Sequence, residues 1–442
     1  MIGLGLTNYI VPLLYGLSFL IAFLSAFYRS TIGLLFYAPL LPIYIIVDKI
    51  LKSGYPLANS FTDMLIVAML LGWLLQGKRD QEQPLEPSPM LMPIFVFMGY
   101  SLFSYILGTS SLGTEIFSDM AEQRLGDWKN YMILPLLYLI TYYTLRERKW
   151  QYALFILLFF SLLAMNTKFR SDFSWVKHTR FQYESQLEGT FAFTNANVWG
   201  AFQTIYTLFL AGLFLIDKHV KRRIAYVILI LACGYSLMYS FSRGAYVGFL
   251  AGLFFISVVR KRILLIPLFI FLIVWKSILP LSVVERVEMT FLEEAQGTEV
   301  VSVGETHLYT AGRKHLWDES LAYYYESPIF GTGYRTFGKL TGLDTHNEYF
   351  KVLAEGGIIG IFIYLWLYFL ALRSGWRLYR NADEELLKAF GFGFVCAVVG
   401  SIVVNFFGDR WSYLQIGGLY WIFWALVDQE NSKLKTIKTA DA

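Results

Sequence analysis

The chain has 442 residues, of which 56% are hydrophobic and only 16% charged, with a mean hydropathy of +0.50. Soluble domains carry about 25% charged residues, whereas apolar runs of roughly 17–25 residues, each able to cross ~30 Å of hydrocarbon, recur here throughout; a soluble enzyme, a disordered chain and a secreted disulfide scaffold are excluded, and the alternating pattern of an outer-membrane barrel is missing. The net charge of +4 is too small and too dispersed to argue for nucleic acid.

The fold class read from these runs is an all-α polytopic membrane protein with about 12–13 transmembrane helices. In chain order the candidate spans are roughly 9–28, 30–49, 61–76, 90–108, 130–145, 150–167, 195–216, 224–241, 244–259, 263–280, 349–372, 386–406 and 412–427. The first run lacks a basic n-region and is read as a retained span, not a cleavable signal. Residues 1–180 hold the N-terminal helices, 181–280 the central helices, 281–348 one large external loop, and 349–442 the C-terminal helices and tail, all within one integral membrane domain. Cys233 and Cys396 fall inside apolar runs and suit neither a metal nor an exposed disulfide.

Dense basic clusters occur in compact loops, among them Arg146, Arg148 and Lys149; Lys218, Lys221, Arg222 and Arg223; and Arg260, Lys261 and Arg262. By the positive-inside rule that side faces the cytoplasm, together with the C-terminus. Thirteen spans then place the N-terminus outside. The segment at 81–90 reads as a plain cytoplasmic loop. The longer external segments are 109–129, 168–194 and 281–348. Within the last, residues 313–327 (RKHLWDESLAYYYES) suit an amphipathic helix with Leu316, Leu321 and Tyr324 on one face and Trp317 beside them. Such a helix suits the membrane surface or the mouth of a cavity.

Few ionisable residues fall at the midplane of a span, where a proton-coupled transporter needs them. Asp63 and Lys276 sit near span ends and read as snorkelling side chains. Of the five histidines, His219 lies in a basic cytoplasmic loop, and His178, His307 and His315 lie in long external segments without metal-ligand spacing. His346 stands in DTHNEYFKVLAEGGIIG. Thr345 and Glu348 have capping-box spacing ahead of an apolar helix, so Thr345 is the expected N-cap and His346 the first turn. There the helix dipole favours a neutral imidazole able to act as a general base, with free amides beside it for an anion. The alternative is a histidine that only helps to cap the helix.

Arg243, in SFSRGAYVG, occupies a tight external turn, and Arg313 opens the amphipathic helix in TAGRKHLWDES. A cation at a helix start opposes the dipole, which points to an anionic ligand for Arg313. The plainer readings are a headgroup anchor for Arg243 and a solvated loop charge for Arg313. With His346 these two make a set suited to a diphosphate and an activated hydroxyl. No acidic DxD cluster is evident to hold a metal there.

These motifs resemble the O-antigen ligase and O-antigen polymerase family of bacterial membrane glycosyltransferases. The resemblance rests on FSRGAYVGFLAG at 241–252, AGRKHLWDESLAYYYESPIFGTGYRTFGKL at 311–340, HNEYFKVLAEGGIIGIFIYLW at 346–366 and GTFAFTNANVWGAF at 189–202. It implies a type C glycosyltransferase-like fold whose large external loop covers a cavity at the outer leaflet. It implies an undecaprenyl-diphosphate-linked glycan as donor, and a glycan, lipid A-core or protein as acceptor. By position, Arg243 and Arg313 would hold the donor diphosphate and His346 would take the acceptor's proton, with inversion and with no metal or other cofactor. Arg180, Asn197, Arg335 and Asn347 would shape the pocket. Ligase and polymerase share these motifs; the histidine-asparagine pair and E-G-G-x-x-G, following one long loop, favour the ligase. The competing classes are a solute transporter, for which no paired half-repeats are seen, and a non-catalytic scaffold for glycan export.

Overall fold

The structure is a computed structural model that describes residues 7–43, 61–76, 87–115, 119–173, 179–181, 193, 195–290, 300–303, 306–309 and 313–440. Among these residues the protein is all-α apart from one short hairpin, as a bilayer demands: without water, backbone N–H and C=O groups must bond within their own segment. The helices are α1 (Thr7–Phe27), α2 (Ser30–Leu40), α3 (Phe61–Gln76), α4 (Leu91–Ser111), α5 (Asp119–Thr144), α6 (Arg148–Asp172), α7 (Ala196–Ile216), α8 (Val220–Met238), α9 (Arg243–Val259), α10 (Leu265–Ile278), α11 (Leu281–Glu288), α12 (Arg313–Glu326), α13 (Phe337–Thr341), α14 (Glu348–Asn381), α15 (Glu385–Asn405) and α16 (Leu414–Ala440). Strands β1 (Val300–Val303) and β2 (Thr306–Tyr309) pair antiparallel, Val300 opposite Tyr309.

Each of the thirteen apolar runs coincides with one of these helices. Five of them, α4, α6, α7, α14 and α15, are long and apolar enough to cross a membrane by length and composition alone, and the bent pair α10–α11 makes up to six. Others are shorter apolar helices, such as α9 at 17 residues. The second predicted span is helical only through Ile43, and its remainder lies outside the described residues, as do His178 and much of GTFAFTNANVWGAF.

The chain divides into two compact units. The first comprises Met1–Leu91, Ile133–Thr167 and Tyr413–Ala442. Its helices are tied by polar contacts between buried groups: Tyr138 donates to Asp428 Oδ2 at 2.7 Å, and Gln151 Nε2 donates to Gln429 Oε1 at 2.7 Å. Such bonds hold helices together where lipid offers no hydrophobic drive.

The second unit, Met92–Met132 and Lys168–Ser412, carries every sequence-predicted site residue. Helix α7 runs through its core, buried along most of its length, and packs on α8, α9 and α15. Helices α7 and α15 approach closely at Gly212 and Gly393, where a Cβ on Gly212 would lie 2.6 Å from the Gly393 Cα. Helix α14 is broken at Gly357 (φ 60°, ψ −163°). The segment 327–335 fills the break: Thr332 and Gly333 donate to the carbonyls of Ala354 and Glu355 at 3.0 and 2.9 Å, and Ile358 donates to Pro328 at 2.9 Å. The E-G-G-x-x-G motif is thus the place where a helix opens to receive a loop.

The long segment 281–348 is more folded than a loop. Helix α11 turns back from α10 at 108°, and α12 packs on α14. Ser320 is the most buried residue of α12, and Trp317 stacks on Phe350 at 5.4 Å and meets Phe406 at 5.5 Å. Leu316, Leu321 and Tyr324 are half-buried like Trp317, while Lys314, His315 and Asp318 are exposed, so the covered face is the one the sequence predicts, with Ser320 at its centre.

Candidate functional site

The site forms where the starts of α9, α12 and α14 meet the turn between α15 and α16. At α9, Ser242 is the N-cap residue, and its hydroxyl donates to Asn197 Oδ1 at 2.8 Å. Asn195 caps α7 by accepting from Asn197 and Val198 N–H, both at 3.0 Å. Asn197 therefore fastens the start of α7 to the residue before Arg243. Arg243 Nη1 donates to Thr290 Oγ1 at 2.9 Å.

Two arginines that sequence reasoning did not single out join this group. Arg286, on the returning helix α11, donates Nε to the Phe241 carbonyl at 3.1 Å and lies 5.0 Å over the Phe181 ring. Arg410 is buried in the turn after α15, its guanidinium so close over Gly408 that a Cβ there would overlap it. Phe407, in the same turn, packs over Gly244 beside Arg243, and Phe406 lies against Trp317, one turn from Arg313. Burial, and then the charges of Arg243, Arg410 and Arg286, push Arg313 down to about 10, with Asp344 opposing them. The guanidinium groups of Arg243, Arg286 and Arg410 thus lie within electrostatic reach of Arg313.

Beside them stands His346, but not in the first helical turn. The N-cap of α14 is Asn347, whose Oδ1 accepts from Tyr349 and Phe350 N–H at 2.9 and 3.3 Å. Thr345 instead donates to the Asn347 carbonyl at 3.0 Å, so the expected capping box does not form. The reason is reach: a short amide one residue before the helix satisfies two orphan donors directly. His346 lies just outside, at φ 49°, and the neutral-imidazole argument from the first turn does not apply to it. Its ring is 47% exposed, and its Nδ1 lies 3.5 Å from Asp344 Oδ2. Phe241, Arg335 and His346 are the non-glycine residues with left-handed φ among those described, and Phe241 and His346 flank the site. Such conformations cost roughly 1–3 kcal/mol and cluster where geometry serves function.

The remaining candidates divide. Arg180 is exposed beside Phe181, whose N–H donates to Glu285 Oε2 at 2.7 Å, at the rim of the arginine group. Asn347 is wholly buried and acts through the cap. Arg335 braces the loop in the α14 break: its N–H donates to Glu355 Oε2 at 3.0 Å and its Nε lies 3.7 Å from Asp127, while its charge also acts on Asp409 beside Arg410.

Residues 224–365 match the family model described as O-antigen ligase. That stretch is about a third of the chain and contains Arg243, Arg286, Arg313, Asp344 and His346; the resemblance read from the motifs holds there. A comparison with curated proteins gives no match.

Proposed function

From the O-antigen ligase match, we propose that this membrane protein transfers a glycan from an undecaprenyl diphosphate carrier to an acceptor hydroxyl at the outer face of the cytoplasmic membrane. The observation that supports this reading is the group Arg243, Arg286, Arg313 and Arg410, with Asp344 and His346 beside it. Gathering four like charges is costly unless an anion of matching charge lies among them, and guanidinium forks fit phosphate oxygens.

In the proposed reaction the acceptor oxygen attacks the anomeric carbon from the face opposite the diphosphate. The new C–O bond forms as the bond to the diphosphate oxygen breaks, with inversion. His346 takes the hydroxyl proton, and Asp344 orients the imidazole. The electron pair of the broken bond stays on the diphosphate, whose growing charge the arginines stabilise. Asn197 and Asn347 hold the helix starts in place, and Arg180 at the rim would meet the donor's glycan. The acceptor is a sugar hydroxyl of lipid A-core, of another lipid-linked glycan, or a protein hydroxyl.

The test is transfer in detergent from an undecaprenyl-diphosphate-linked glycan, with and without EDTA, comparing wild type with His346→Ala and Arg410→Gln. Transfer that survives chelation and is lost in both variants is the expected result. A single addition marks a ligase and a size ladder a polymerase. Full activity of His346→Ala would overturn the histidine mechanism.

A further inference from the structure

Helices α7, α9 and α14 each begin at the arginine site, and each ends at a second feature. Over its 21 residues α7 rises about 30 Å, the thickness of a hydrocarbon core. At the far end lies a cavity of about 510 Å³, lined by Ile216 at the end of α7, Lys218 just after it, Arg260 after α9, Tyr379 and Arg380 at the end of α14, and Asp383, Glu385 and Lys388 around the start of α15. Lys218 is taken by Glu385 at 2.9 Å. Among the described residues Arg260, Arg380 and Lys388 make no ion pair, and Asp383 is the one other acid in the lining.

A cation at the end of α9 or α14 has a plain role, since it complements the helix dipole. The dipole does not account for Lys388, which lies in the first turn of α15 where a cation is disfavoured. Nor does it account for three cations turned to one concavity whose lining carries a net charge of two positive. Next to these lining residues the chain is apolar and exposed: Val258 is 44% and Val259 36% accessible just before Arg260, and Trp376, 40% accessible, meets Tyr379 at 5.5 Å. A tryptophan and a tyrosine with cations beside them at a helix end suit the headgroup layer.

We infer that this cavity binds the phosphate of an anionic phospholipid, with Arg260, Arg380 and Lys388 on the headgroup and the acyl chains along Val258, Val259 and Trp376. The lipid would tie together the ends of three helices whose starts carry the arginine site. This assignment is independent of the proposed transferase activity.

The test uses the full-length protein in micelles titrated with phosphatidylglycerol, phosphatidylcholine or inorganic phosphate, reading thermal midpoint and lipid retained in native mass spectrometry. Phosphatidylglycerol is expected to raise the wild-type midpoint and stay bound, and phosphatidylcholine to do neither. At about fivefold per surface charge, Arg260→Gln with Arg380→Gln should need about twenty-fivefold more phosphatidylglycerol, and Lys388→Gln alone about fivefold more. The single variant keeps the test open if the double one misfolds. Lys339→Gln, at the other end of the unit, should match wild type. Equal responses to both lipids, an unchanged titration in the Gln variants, or a rise produced by inorganic phosphate with none from lipid would each overturn the assignment.

Discussion

Asp344 and His346 face each other across 3.5 Å, carboxylate Oδ2 to imidazole Nδ1, and the Asp344 Oδ1 also accepts the His346 N–H at 3.0 Å. One carboxylate therefore holds the backbone of the residue placed as general base and stands beside its ring Nδ1, leaving Nε2 for the acceptor. A general base contributes roughly 10²–10⁴ in rate, and its orienting partner a part of that. Asp344→Ala should lower kcat for transfer about tenfold to a hundredfold, with the donor KM within about twofold of wild type. Steady-state transfer kinetics check this; an unchanged kcat would remove Asp344 from the mechanism.

Arg313 makes a prediction about stability that runs against the one about activity. Its pKa is lowered by burial and by three neighbouring arginines, so the folded protein without ligand holds the charged form at a cost relative to the unfolded chain. That cost is present below about pH 10 and is relieved as pH rises from there towards the ordinary arginine value. Arg313→Gln should therefore stabilise the ligand-free protein by roughly 1 kcal/mol after allowance for screening, while abolishing transfer. Pyrophosphate should raise the thermal midpoint of wild type much more than that of the variant. A variant less stable than wild type would show that Arg313 is held by the fold and not by a ligand.

The helices were legible because a bilayer leaves an apolar chain no other way to satisfy its backbone. Arg313 was legible because it opens a helix, where a cation is out of place, and Arg243 because it stands in a tight external turn between two spans. Arg286 and Arg410 were not, because an arginine after a span looks the same whether it is solvated or folded back over its neighbours. The bend at Leu279 and Pro280 and the aspartate before Arg410 were the only signals available. The cap was misplaced because Thr345 and Asn347 are both competent, and the spacing to Glu348 favours the wrong one. Arg335 lies in a matching motif, but its ties to Asp127 and Glu355, far apart in sequence, could not be read from it.

The two adjacent glycines of the α14 break should respond very differently to the same methyl group. Gly357 has positive φ, and a Cβ there would meet the Ile329 carbonyl and the Gly331 nitrogen. The nearest atom to a Cβ on Gly356 is a Tyr100 ring carbon at 3.8 Å, ordinary contact. Gly357→Ala should cost more than about 2 kcal/mol, through strain and through loss of the segment seated in the break. Gly356→Ala should lie within about 1 kcal/mol of wild type. Thermal melting of the two variants in one detergent decides it, and equal midpoints would mean that the break is not held by Gly357.

Lys351 and Asp409 make a different kind of tie, joining the helix that follows His346 to the turn that carries Arg410. Their side chains are 12% and 8% exposed and lie 2.9 Å apart, with Arg410 Nη1 3.8 Å from the other carboxylate oxygen. Burial opposes the Asp409 charge, but Lys351 and Arg410 outweigh it and hold the carboxyl below its ordinary range. Removing one partner strands the other, so Asp409→Asn should cost about 3–5 kcal/mol, and Lys351→Met with Asp409→Leu should cost less than that single change. A carboxyl with a depressed folded-state pKa stabilises the protein above its unfolded value and loses that contribution as pH falls further. The wild-type midpoint should therefore drop on acidification below about pH 4, and the drop should be smaller in Asp409→Asn. If both proteins followed the same acid profile, with the double variant as damaged as the single, the pair would not be what holds Arg410 over the site.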